Sequence, residues 1–142
     1  MYRPTLAVLT LLTFGLVITG CELFEGEPKT NHGVSNAQFS DIPVPAGMKL
    51  LDHQNQSHSV QAGDYRFGEF VYTGSIPLHD ASSYMMQRMP QHNWKLVADE
   101  VPTPESRMLR FERGNYVAEC RFLRESATTR MDVKVTTVAN GR

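Results

Sequence analysis

The chain predicts an α+β fold in which one main helix packs on one face of a mostly antiparallel sheet of about five strands. Two periodicities lead there. Met131, Val133, Val135 and Thr137 alternate with Arg130, Asp132, Lys134 and Thr136, the period of two expected of a half-buried strand. Leu78, Ala81, Tyr84, Met85 and Met89 instead fall on one side of a helix. A single helix with that apolar stripe covers one sheet face and leaves the other to water. The Arg, Lys, Glu and Thr residues of the outer face suit solvent, and a charged binding face is the competing reading of the same residues.

The elements follow in order. "DIPVPAGMKLL" predicts an extended, turn-rich lead into a short strand around Met48 to Leu51. A second, weak strand is expected from Ser57 to Gln61. Tyr65 to Thr73, "YRFGEFVYT", has the aromatic and β-branched content of a strand, and Gly68 within it predicts a bulge or a close approach by a neighbour. Gly74 and Ser75 end it, and Pro77 opens the helix, where a missing N–H costs nothing. Asp80 and Arg88 sit at the ends that the helix dipole favours, and Pro90 stops the run. Beyond "PQHN", Trp94, Leu96 and Ala98 form the bulky side of an alternating strand, which Pro102 and Pro104 are expected to break. Leu109 and Phe111 then alternate into a hairpin turned by "RGN" at 113 to 115. The return strand places Tyr116, Ala118, Cys120 and Phe122 on one face and Glu119 and Arg121 on the other, and "ESATT" turns into the last strand.

Ahead of these elements lies text of another kind. Arg3 is followed by the charge-free apolar stretch from Leu6 to Ile18, too short for a permanent span of roughly 20 apolar residues but suited to a secretory signal. Ile18, Thr19, Gly20 and Cys21 resemble, position by position, the signal of bacterial lipoproteins: an aliphatic residue, a small or β-branched one, Gly or Ala, then Cys. The resemblance implies cleavage before Cys21, a thioether lipid on its sulfur and acylation of the new N-terminus. One acyl chain holds a protein only marginally, and a second makes the attachment stable. The alternative is an ordinary secreted protein in which Cys21 pairs with Cys120. In the same resemblance Glu22, rather than Asp, after the cysteine implies the outer membrane. The domain division expected is therefore a signal at 1–20, a flexible tether at 21–40 carrying three Glu, two Gly, two Asn and one Pro, and a small α+β domain at 41–142.

The 142 residues carry 14 basic and 15 acidic side chains. Since Arg3 leaves with the signal, 13 basic residues face 15 acidic ones, a balance without the basic block that a nucleic-acid partner needs. The part from Asp41 onward also resembles a small domain of uncharacterised bacterial lipoproteins. The shared pieces are Ile42-Pro43-Val44-Pro45-Ala46-Gly47, Met89-Pro90, Asn93-Trp94 and Arg113-Gly114, with Asn93 standing where such turns usually carry Gly. These are structural motifs, and the resemblance implies no catalytic residue.

The search for chemistry yields little. His32, His53, His58, His79 and His92 form no compact ligand pattern, and His53 and His58 would meet a metal only if the segment between them curls. His79 and Asp80, adjacent on a helix, point about 100 degrees apart rather than toward a shared proton, and Ser82 and Ser83 lack a readable base. Cys120, within an apolar alternation, reads as a small buried hydrophobe. No catalytic, metal or cofactor-binding residue is assigned. The expected function is a lipid-anchored interaction or structural module of the cell envelope, facing the periplasm from the outer membrane and meeting an envelope protein. Its partners are then the membrane, through Cys21, and that protein, with Tyr72, Arg110, Arg121, Arg130 and Lys134 as candidate contact residues. One alternative is a carrier of a small hydrophobic ligand in a helix–sheet cleft lined by Tyr84, Met85, Met86, Trp94 and Phe122. A metal-dependent or hydrolytic envelope enzyme is the other.

Overall fold

The period-two segments pair into a seven-stranded sheet in the computed structural model, which describes residues 38–51 and 56–138. The strands are β1 (Lys49–Leu50), β2 (His58–Ala62), β3 (Tyr65–Gly74), β4 (Lys95–Thr103), β5 (Ser106–Arg113), β6 (Tyr116–Glu125) and β7 (Thr128–Thr137). Helix α1 (Leu78–Arg88) and a 3₁₀ turn (Met89–His92) join β3 to β4. The spatial order is β1-β3-β7-β6-β5-β4, with β2 also on β3, and the pairs between strands are antiparallel. The five longer strands match the expected sheet, and the two short leading strands extend its β3 edge.

This order explains the position of the helix. After β3 the chain must reach the far edge, and α1 carries it across the face of β5 and β6. From β4 the meander returns strand by strand until β7 closes against β3, with Phe70 opposite Val133 and Tyr72 opposite Met131. Ala81, Met85 and Met89 face the sheet with no exposed surface, against Leu109, Phe111, Ala118, Cys120, Phe122 and Met131, which are equally buried. Pro90 lies in the first turn of the 3₁₀ segment, and Asn93 closes it in the left-handed region at φ 63°. An Asn tolerates that conformation, so the Gly usual at such a turn is dispensable here.

Four expectations change. Tyr72, read as a contact residue, is 1% exposed and lies in the core, because Gly68, Phe70 and Tyr72 share the inner side of β3. Trp94, Leu96 and Ala98 do not share a face: the β4–β5 register shifts between Leu96 and Ala98, a bulge that sends Ala98 to the side of Lys95. Pro102 does not break the strand, since β4 is an edge strand whose outward backbone needs no ladder partner. Finally, packing begins ahead of Asp41, for Phe39 is 7% exposed and its ring meets Phe70 edge-on at 5.5 Å.

Gly68 answers the question its position raised, by close approach and without a bulge. A Cβ built there would lie 2.7 Å from the Phe39 ring and 2.8 Å from that of Phe70. The missing side chain is the space into which Phe39 fits.

Candidate functional site

The outer sheet face is built by the residues that alternate with the core. Across β3, β7, β6 and β5 the register sets Glu69, Lys134, Glu119 and Arg110 side by side. Opposite charges placed as cross-strand neighbours attract. Lys134 reaches Glu69 at 2.9 Å, Arg110 reaches Glu119 at 3.0 Å and Glu112 at 3.6 Å, and Arg130 reaches Asp132 at 2.8 Å. Three of the four surface cations expected to make contacts are thus engaged within the face. Arg121, directly opposite Asp132 and Met108, stands exposed beside a shallow depression of about 250 Å³. Exposed pairs of this kind hold about 0–1 kcal/mol each and keep the face wet.

The helix side offers the reverse. Met85, Trp94 and Phe122 are at most 1% exposed, with Tyr84 and Met86 packed against the same core. The side chains expected to line a ligand cleft therefore fill the space between α1 and the sheet. Cys120 is fully buried as a free thiol, and burial, with a smaller contribution from Glu119, pushes its pKa up to about 12. A thiol so protonated is no nucleophile. Burial, helped by Cys120, likewise raises the Tyr72 phenol, whose buried hydroxyl lacks a hydrogen-bond partner among the described residues.

Histidine chemistry is equally thin. His58 stands 4.0 Å from Glu69, and His79 Nε2 lies 3.5 Å from Ser83 Oγ on exposed helix surface. No group of three potential metal ligands occurs among the described residues. His32, His53 and the lipidation candidate Cys21 lie outside the described residues.

Two features escaped sequence reasoning. One is a cluster at the end of the sheet where the described chain begins: the Asp41 carboxylate accepts bonds from Arg66 at 2.6 and 2.9 Å and meets Arg113 at 2.6 Å. Arg66 stacks over Phe39, Arg113 over Trp94, and the Trp94 indole N–H donates to the Asp41 carbonyl at 3.1 Å. One carboxylate thus ties two arginines of the sheet, though Arg66 Nε stays buried without a hydrogen-bond partner among the described residues, and the cluster holds the leading segment to the sheet.

The other is the β4 edge. The helix lies over β5 and β6, so β4 overhangs it, and among the described residues its outer backbone has no strand partner. Leu96, Val97 and Val101 are 36, 42 and 64% exposed there, three large apolar side chains on one edge strand. Lys95 and Glu100, exposed on the outer side of that strand, make no ion pair among the described residues. The two prolines at 102 and 104 were the one available signal that this strand lay at an edge. No protein-family model, curated protein or solved structure matches the chain.

Proposed function

We propose that this chain is a lipid-anchored contact module of the bacterial cell envelope, held at the membrane through Cys21 and meeting another envelope component along the β4 edge. The observation that carries the contact reading is the exposure of Leu96, Val97 and Val101 on an edge strand whose outer side has no strand partner among the described residues. An open edge of that composition offers backbone donors and acceptors together with apolar surface, the two things an added strand uses. The outer face, by contrast, has most of its charges satisfied internally, and the helix–sheet space is filled by side chains. Neither arrangement favours carriage of a ligand or turnover of a substrate. Ile18-Thr19-Gly20-Cys21 supports the anchor, and the 16 residues between Cys21 and Gln38 give it reach. Confinement to a surface raises the effective concentration of a weak contact without any new interaction.

Two measurements test this reading. Intact mass of the membrane-extracted protein should exceed that of residues 21–142 by a diacylglyceryl unit, with or without an N-acyl chain; a mature form with unmodified Cys21 would remove the anchor. A photo-crosslinker at Val97 or Val101 in intact cells should then capture one defined species, weakly or not at all in a Cys21→Ala background. Capture from Thr136 on the outer face and none from β4 would transfer the contact to that face. Turnover of an envelope substrate without any capture would replace the contact module with an enzyme.

A further inference from the structure

We infer that the β4 edge takes a second copy of this chain, paired antiparallel about a two-fold axis between Val97 and Ala98, with Lys95 of each copy opposite Glu100 of the other. The inference rests on reading β4 as the contact edge and names what occupies it.

The register follows from where the bulge puts each side chain. Lys95 lies opposite Glu112, Ala98 opposite Arg110 and Glu100 opposite Met108, so all three occupy the outer face of the sheet. Leu96 and Asp99, opposite Phe111 and Leu109, occupy the helix side. In an unbroken strand, residues five apart point to opposite faces. The extra residue at Val97 resets the alternation and brings Lys95 and Glu100 to the same face. Two antiparallel copies then match face for face, Lys95 with Glu100 and Leu96 with Asp99, and the two bulges at Val97 meet at the axis.

Charge selects this register from its neighbours. A two-fold axis through Asp99 or through Glu100 would set like charges directly against each other, a destabilising arrangement in a sheet. The axis between Val97 and Ala98 instead forms the Lys95–Glu100 pair twice, using side chains that lack an ion-pair partner among the described residues. Asp99, facing Leu96 of the second copy, is already neutralised by Arg107, which donates to it at 2.7 and 2.8 Å.

The contact also closes on itself. Pro102 has no N–H to offer, and a second register shift between Glu100 and Thr103 ends the regular edge. A two-fold contact uses the same patch on both copies and cannot propagate into a fibre. Both helices fall on the same side of the joined sheet, each over its own β5 and β6, clear of the junction. Six paired residues a side bury less than the about 1,200 Å² of an ordinary stable interface. The pairing is therefore weak in dilute solution and populated where the chain is concentrated.

Sedimentation equilibrium of the purified full-length chain in a density-matched detergent, from low micromolar to near-millimolar protein, reads the association directly. A monomer–dimer equilibrium is expected. Lys95→Glu and Glu100→Lys should each weaken it by about tenfold, since each substitution sets like charges opposite at both ends of the contact. The double variant Lys95→Glu/Glu100→Lys should restore it. Both positions are exposed, and circular dichroism of each variant separates weakened pairing from misfolding. A monomer throughout the range, or a dimer indifferent to the swap, overturns the proposal. If the chain is monomeric but a photo-crosslinker at Val97 captures a different envelope protein in cells, the second copy is excluded while the contact reading survives. If that probe captures nothing, both fall.

Discussion

Arg66 donates to both carboxylate oxygens of Asp41, at 2.6 and 2.9 Å, across 25 residues of sequence, from a guanidinium that lies 4.2 Å above the Phe39 ring. Arg66 is 6% exposed, so this pair is shielded from the solvent that weakens surface ion pairs. It fastens the leading segment to β3 just where Phe39 fills the space above Gly68.

Acid should therefore loosen this end of the fold. Burial alone would raise the Asp41 carboxyl, but the hydrogen bonds and charge of Arg66, with the charge of Arg113, outweigh it and hold the pKa below the ordinary 3.8. A carboxyl with a lowered folded pKa adds stability that is fully present above its unfolded value and is lost as the pH falls through the folded one. Urea unfolding should show a decline below about pH 4. Asp41→Asn should cost about 3 kcal/mol at neutral pH, since two arginines lose their counter-charge, and should flatten that decline. An unchanged acid limb in the variant would assign it to other carboxylates.

Gly68→Ala tests the neighbouring contact. Its new Cβ would sit 2.7 Å from the Phe39 ring and 2.8 Å from the Phe70 ring, distances that force at least one ring to move. Overpacking of this kind costs about 1–3 kcal/mol. Phe39→Leu should absorb part of the penalty, so the double variant should lose less than the two single losses combined. Strict additivity by urea unfolding would mean that Phe39 does not occupy that space in solution.

What the sequence made legible was local. β7 alternates strictly, α1 has one apolar stripe, and Tyr116, Ala118, Cys120 and Phe122 do share a buried face, though Tyr116 lies at its margin. Tyr72 was misplaced because both faces of "YRFGEFVYT" carry large apolar residues, Phe67 and Val71 on one and Phe70 and Tyr72 on the other. Parity alone cannot tell which face is covered. The bulge at Val97 left no mark either, since Trp94, Leu96 and Ala98 read as an unbroken alternation. The Asp41, Arg66 and Arg113 cluster joins three distant segments, which no spacing rule connects. Cys21 belongs to the part whose meaning is carried by sequence alone.

Trp94→Ala should cost about 3–5 kcal/mol, the range for deleting a packed aromatic. The ring is 1% exposed beneath Arg113, and its N–H is spent on the Asp41 carbonyl. Trp94→Phe keeps most of the apolar volume and loses that bond, so its loss should be clearly smaller. Equal losses in the two variants would mean that the hydrogen bond, and not the packing, holds this corner.

Cys120 supplies a prediction at the alkaline side. Its thiol is completely buried, and its pKa stands at about 12 against an ordinary 9.0. A raised folded pKa means that the unfolded chain releases the proton first, so stability is complete below the unfolded value and falls as the pH rises past it. Between pH 9 and 10 the decline belongs to Cys120 before the Tyr72 phenol, ordinarily at 10.0, adds its own in the same direction. The slope approaches about 1.4 kcal/mol per pH unit once the unfolded thiol is mostly ionised. Cys120→Ala should remove that slope at a modest cost in packing, and urea unfolding at successive pH values measures both. The thiol reagent of Ellman offers an independent reading: labelling should be slow in native protein and complete in denaturant. Fast native labelling would show the thiol to be reachable and would open a redox role for this strand, whereas a slope between pH 9 and 10 that survives in Cys120→Ala would assign the decline to other groups, Tyr72 first among them.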